Sequence, residues 1–114
     1  MSSLSTHVLD TALGRPAKGV PITLSIAKDD GSWEDVAHGT TNDDGRVADL
    51  LKADQQLAPD TYRMTFDTET YFSASASNVF YPVVHVVFNI NEDDQHYHIP
   101  LLLSPYGYST YRGS

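Results

Sequence analysis

From Val20 to Ala27 large apolar residues alternate with small or polar ones, Val20, Ile22, Leu24 and Ile26 falling on one side and Pro21, Thr23 and Ser25 on the other. A side-chain period of two predicts a strand with one buried and one wet face. Tyr62, Met64 and Phe66 repeat the rhythm as far as Asp67, and in Ser5–Asp10 it sets His7 on the face opposite Thr6 and Val8. Val83–Ile90 is instead almost continuously apolar and β-branched, which predicts a strand covered on both faces. Tyr97–Leu103 reads as a further strand, and a segment containing Gly107 leads to a last short strand ending near Tyr111.

The connections are equally patterned. Ser32–Thr41 carries Trp33 and Val36 and runs into Asn42-Asp43-Asp44-Gly45, whose Asp-Gly pair is a strong turn signal. Arg46–Leu50 is predicted to open a short strand directly after it. Leu50–Leu57 (LLKADQQL) has helix formers without β-branching and is followed by Pro59, which predicts a short helix or helical turn. The acidic Asn91-Glu92-Asp93-Asp94 reads as a loop. Short strands punctuated by Gly, Asp and Pro point to an all-β antiparallel sandwich rather than a βαβ fold.

The chain has 114 residues, 40% hydrophobic and 19% charged, which fits a single globular domain over residues 1–114. Its formal net charge of −8 argues against nucleic acid, because phosphate binding requires clustered Lys and Arg. A small anionic substrate stays open, since one or two arginines can set the potential of a single cleft; Arg46 and Arg112 are the candidates. With no cysteine, disulfides, thiolate metal sites and thiol nucleophiles are excluded. The apolar runs VVHVVFNI and IPLLL are too short to span a bilayer as helices, and the N-terminus does not look like a secretory signal. The expectation is a cytoplasmic protein without membrane contact, peroxisomal or periplasmic only if a targeting segment is missing from this sequence.

Candidate chemistry concentrates in a few places. His96 and His98 lie two apart in a predicted strand, so both point to one face and Tyr97 to the other. Such a pair can bind a metal, share proton-transfer work, or simply cap a sheet edge; as zinc ligands, two histidines fall short of the three or four generally needed. His7 reads either as a structural hydrogen-bonder or as a site residue. Arg46, at a turn-to-strand junction, can present its donor fork to a planar ring or pair at the surface with Asp43, Asp44 or Asp49. Tyr111-Arg112-Gly113-Ser114 offers a phenol, a cation and a hydroxyl beside the terminal carboxylate, where a frayed tail is the usual alternative. Arg15 reads as a structural loop residue, His38 and His85 as structural or exposed, and the scattered turn glycines lack the spacing of a phosphate loop.

Three blocks, LSTHVLDTALGRPA (Leu4–Ala17), DDGRV (Asp43–Val47) and HYHIPLLLSPYGYSTYRGS (His96–Ser114), together resemble the transthyretin-like family of 5-hydroxyisourate hydrolases. The terminal YRGS after HYHIPLLLSPYGYST is the most specific of them. The resemblance implies a prealbumin-like sandwich of two four-stranded sheets, assembled as a homotetramer, to which the residues themselves add one short helix. It also implies hydrolysis of 5-hydroxyisourate, a small-molecule substrate from urate degradation, without cofactor or metal. It maps catalytic roles onto His7, Arg46 and His98, and substrate binding onto His7, Arg46, Tyr111, Arg112 and Ser114. The competing reading is a non-enzymatic carrier of the transthyretin type, which shares the fold and binds thyroid hormones.

Overall fold

The computed structural model describes residues 2–75, 77–91 and 95–113; Ser114 and the acidic positions 92–94 of the expected loop lie outside the described residues. Eight strands and one helix follow in the order β1 (Ser3–Asp10), β2 (Arg15–Pro16), β3 (Pro21–Ala27), β4 (Trp33–Thr40), β5 (Asp60–Phe66), α1 (Thr68–Ala74), β6 (Val84–Ile90), β7 (His96–Ser104) and β8 (Gly107–Thr110). They form two four-stranded sheets, β2-β1-β7-β8 and β4-β3-β5-β6. The expected all-β sandwich with one short helix is the observed fold.

Alternation accounts for the layers. In β1, Leu4, Thr6, Val8 and Asp10 are buried while Ser3, Ser5, His7 and Leu9 face outward. In β7, Tyr97, Ile99, Leu101 and Leu103 are buried, and His96 and His98 take the outer side. Ile22 and Leu24 of β3, Tyr62, Met64 and Phe66 of β5 and Val84 and Ile90 of β6 supply the facing layer of the core. Burying a side chain of this size stabilises by roughly 1.5–3 kcal/mol, so a strand slipped by one residue would expose its whole inner set.

The antiparallel expectation holds for every strand pair but one among the described residues. β1 and β7 run parallel over Ser3↔His96 to Asp10↔Leu103, as two strands far apart in sequence can when the intervening chain builds the opposite sheet.

Three local expectations are corrected. Leu50–Leu57 is not helical: Leu57 exchanges both backbone hydrogen bonds with Ser2 at 2.8 Å, committing its amide to an extended bridge, and Leu50 and Leu57 anchor a turning loop in the core. The helix lies at Thr68–Ala74 instead, where the Asp67 carboxylate caps it by accepting from the Thr70 amide at 3.0 Å and the Thr70 hydroxyl at 2.7 Å. Such a cap satisfies an otherwise orphaned donor of the first turn. Arg46–Leu50 does not continue as a strand, since Arg46 alone bridges β1, opposite His7. Finally, β6 is not covered on both faces: it is an edge strand whose His85, Val87 and Asn89 are exposed. No helix among the described residues is long and apolar enough to cross a membrane.

Candidate active site

The outer face of the β2-β1-β7-β8 sheet carries the candidate chemistry. The parallel register sets Ser5 beside His98 and Ser3 beside His96, with His7 one step further along β1 opposite Pro100. His98 Nδ1 lies 2.7 Å from Ser5 Oγ, which also lies 2.8 Å from His96 Nε2; His96 Nδ1 in turn lies 2.7 Å from Ser3 Oγ. Both imidazoles are therefore engaged by serine hydroxyls, and no third His, Asp or Glu completes a metal-binding group with them among the described residues.

Arg46 reaches this face through a tight turn. The Asn42 side chain accepts from the Asp44 amide at 2.9 Å and the Arg46 amide at 3.1 Å, while backbone bonds join Asn42 N–H to Arg46 C=O at 2.8 Å and Gly45 N–H to Asn42 C=O at 2.9 Å. Gly45 closes the turn at φ +74, a conformation that glycine adopts without penalty, and a Cβ there would run into the Val8 carbonyl and crowd the His7 ring. The Val8 amide then donates to Gly45 C=O at 2.8 Å, pinning the turn to β1. Arg46 pairs with none of Asp43, Asp44 and Asp49 among the described residues; Asp43 is taken by Lys18 at 2.9 Å.

The electrostatics of this corner favour a neutral imidazole. Burial, and after it the nearby Arg46, His7 and His96, hold His98 below the ordinary histidine pKa. His98 is therefore uncharged at neutral pH, with Nδ1 occupied by Ser5 and Nε2 without a hydrogen-bond partner among the described residues. A neutral base beside a permanent cation is a pairing suited to attack on a carbonyl, the base taking a proton and the cation facing the developing negative charge. A cleft of about 300 Å³ opens against Ser3 and Ser5, walled by Val47, Leu51 and Gln55.

The chain end is split between two places. The Gly113 amide donates to the His98 carbonyl at 2.8 Å and the two residues form a bridge, so the tail runs along β7 past His98. Arg112 turns the other way: its guanidinium sits 4.5 Å from the centre of the Tyr97 ring and donates to Gln95 Oε1 at 2.8 Å, on the opposite side of β7 from His98. Tyr111, 57% exposed, flanks with Arg112 a separate groove between the sheets lined by Phe88, Tyr97 and Ile99. Thus His7, Arg46 and His98 gather on one face, while Tyr111 and Arg112 do not join them.

This architecture agrees with what the chain is similar to. A model of the HIUase/transthyretin family matches residues 4–113. The chain belongs to this family. The 5-hydroxyisourate hydrolase of Mus musculus is 47% identical over 114 residues, covering 99% of this chain and 96% of its own. The solved structure of Klebsiella pneumoniae 5-hydroxyisourate hydrolase superposes with a TM-score of 0.84 at 36% identity, over 98% of this chain and 99% of that one. Sea bream transthyretin in complex with thyroxine superposes with a TM-score of 0.89, also at 36% identity, over 96% and 93% of the two chains. A hydrolase and a thyroxine-bound transthyretin thus share this sandwich, and the fold does not separate them.

Within the family fold, four residues that build this site are not site candidates in the sequence: Ser3, Ser5, Asn42 and Gly113. Ser3 and Ser5 do share the outward period of His7, which is a visible signal. Their contact with the histidines depends on the parallel pairing of two strands more than ninety residues apart, which no local pattern encodes.

Proposed function

We propose that this chain hydrolyses 5-hydroxyisourate to 2-oxo-4-hydroxy-4-carboxy-5-ureidoimidazoline, within urate degradation toward allantoin. The observation that carries the reading is the grouping of His98 with Arg46 and His7 on one open sheet face, where burial and Arg46 hold the His98 pKa below its ordinary value, in a chain whose full-length relatives include 5-hydroxyisourate hydrolases. In this reading water attacks a ring carbonyl. Its oxygen bonds to the carbonyl carbon, His98 Nε2 takes the proton, and the ring C–N bond opens as a proton returns to the leaving nitrogen. General-base action of this kind contributes about 10²–10⁴-fold. Arg46 holds the charge developing on the oxygen, where one well-placed donor is worth about 10²–10³-fold. His7 binds the ring beside it and shares the proton handling. Ser114 contributes a hydroxyl to substrate binding; Arg112, clamped on Tyr97, keeps the chain end in place along β7, and Tyr111 lies with it away from His98.

Assembly as a homotetramer belongs to the same reading. It is supported by the unpaired edges of β6 and β8 and by the exposed apolar side chains Val87, Tyr108 and Tyr111, since an open edge invites pairing with another chain.

The test is the ultraviolet decay of freshly generated 5-hydroxyisourate with the protein and with its His98→Asn variant. Acceleration that disappears in the variant is the expected result. Absence of acceleration by the unaltered protein overturns the reading and favours a carrier, to which the likeness to transthyretin with thyroxine would then point.

A further inference from the structure

We infer that Ser5 is a positioning residue that fixes the tautomer of His98 and relays protons between His98 and His96; this inference rests on the proposed role of His98 as base. Ser5 has a single hydroxyl proton yet sits 2.7 Å from His98 Nδ1 and 2.8 Å from His96 Nε2. It can donate to only one ring at a time, and while it does so it accepts from the other. His96, with its second nitrogen 2.7 Å from Ser3 Oγ, is bound by the same constraint, because a neutral imidazole carries one N–H. With all three bonds formed, both rings neutral and the Ser5 hydroxyl proton held between the two rings, only two proton arrangements exist along the row Ser3, His96, Ser5, His98.

In one arrangement every proton points toward His98: Ser3 donates to His96 Nδ1, His96 Nε2–H to Ser5, and Ser5 to His98 Nδ1. His98 then carries its proton on Nε2 and cannot act there as a base. In the other arrangement every proton points away: His98 Nδ1–H donates to Ser5, Ser5 to His96 Nε2, and His96 Nδ1–H to Ser3. His98 Nε2 is then bare and competent. The row therefore couples the basicity of His98 to the tautomer of an exposed histidine two residues away.

The same row is a path for the proton taken from water. As Nε2 accepts it, the Nδ1 proton passes to Ser5 Oγ, the Ser5 hydroxyl proton to His96 Nε2, the His96 Nδ1 proton to Ser3 Oγ, and the Ser3 hydroxyl proton to solvent. Each group gains one proton as it loses one, and His98 never remains a cation beside Arg46. Run backward, the row restores the Nδ1 proton as Nε2 gives its own to the leaving nitrogen. His96 is exposed and Ser3 half-buried, so the outer end of the path meets water.

The experiment compares unaltered protein with Ser5→Ala, Ser5→Thr, His96→Phe and His98→Asn, by turnover of 5-hydroxyisourate in mixtures of light and heavy water and by ring ¹⁵N shifts of His98 without substrate. Ser5→Ala and His96→Phe are expected to lower kcat by about 10- to 100-fold, the usual cost of losing a partner that orients a working imidazole, with KM little changed. The solvent isotope dependence should change from a curve, several protons moving together, to a line. Ser5→Thr, which keeps the hydroxyl, should recover most of the rate. In the ¹⁵N spectra His98 should move toward the Nε2–H tautomer in Ser5→Ala. Unaltered kcat, isotope curvature and ¹⁵N shifts in Ser5→Ala, with His98→Asn inactive, would overturn the relay while leaving the hydrolase reading intact. If the unaltered protein does not accelerate the decay, the hydrolase reading fails. The ¹⁵N shifts then decide whether Ser5 sets the tautomer.

Discussion

Gly113 shows how closely the chain end is fitted to His98. A Cβ at this position would lie 2.5 Å from Cδ2 of the His98 ring, nearer than real contacts allow, so the ring or the tail must move. We expect Gly113→Ala to lower turnover by at least about tenfold, the scale on which a displaced catalytic group costs rate, with the far-ultraviolet dichroism unchanged; turnover equal to the unaltered protein would show that the ring tolerates the methyl. His98 itself gives a second residue-scale expectation. Its pKa is lowered first by burial and then by Arg46, so the neutral, active form persists below the ordinary histidine range and activity should fall only as acid protonates it there. Arg46→Met removes the second cause and leaves the first, so the His98 pKa should rise in that variant without regaining its ordinary value. A proton NMR titration of the His98 ring checks both the sign and the order of these causes.

At the scale of elements, the Asn42–Arg46 turn is a rigid bracket between β4 and β1. Asn42→Ala leaves two amides of the turn without their acceptor, which should cost about 1 kcal/mol of stability, read as a lower urea midpoint at unchanged slope. Because the bracket delivers Arg46 to His7, turnover should fall further than that small loss of stability explains; turnover unchanged against a lowered midpoint would separate the turn from the site. The turn was legible in the sequence because Asp-Gly carries its own conformational signal, as were β1, β3, β5 and β7 through their period of two. What followed the turn was not. Arg46–Leu50 looks like a strand, yet only Arg46 meets the β1 edge, opposite His7, and the chain then leaves that edge to bury Leu50 in the core. The helix was missed for a related reason: Asp67 closes a strand pattern and also opens a capping motif, and which role wins is decided by packing, with Phe72 buried and the Tyr71 hydroxyl bonded to buried Asp10 at 2.6 Å. His7, Arg46 and His98 were legible as a group through family resemblance; Ser5 was not, because its importance arises from a register between distant strands.

The whole molecule ends in open edges. β6 and β8 lie at the ends of their sheets, and near them Val87, Tyr108 and Tyr111 are 56%, 45% and 57% exposed. A strand edge without charge or proline to protect it is a pairing surface, and here the rim is apolar and aromatic. The expected mass in sedimentation equilibrium is four times the 12.6 kDa of one chain. Because each chain carries a formal charge of −8, assembly has to overcome mutual repulsion. Salt screens such repulsion over a Debye length of about 10 Å at 0.1 M, so dissociation on dilution should be more pronounced at low ionic strength. Adding charge where the rim is apolar should have the same direction of effect: a Val87→Glu, Tyr108→Glu double variant should sediment as a smaller species while its single-chain fold, whose core uses neither side chain, remains. A double variant that keeps the mass of the unaltered assembly would place the contacts elsewhere on the sandwich. A single-chain mass for the unaltered protein at all salt concentrations would reject the tetramer.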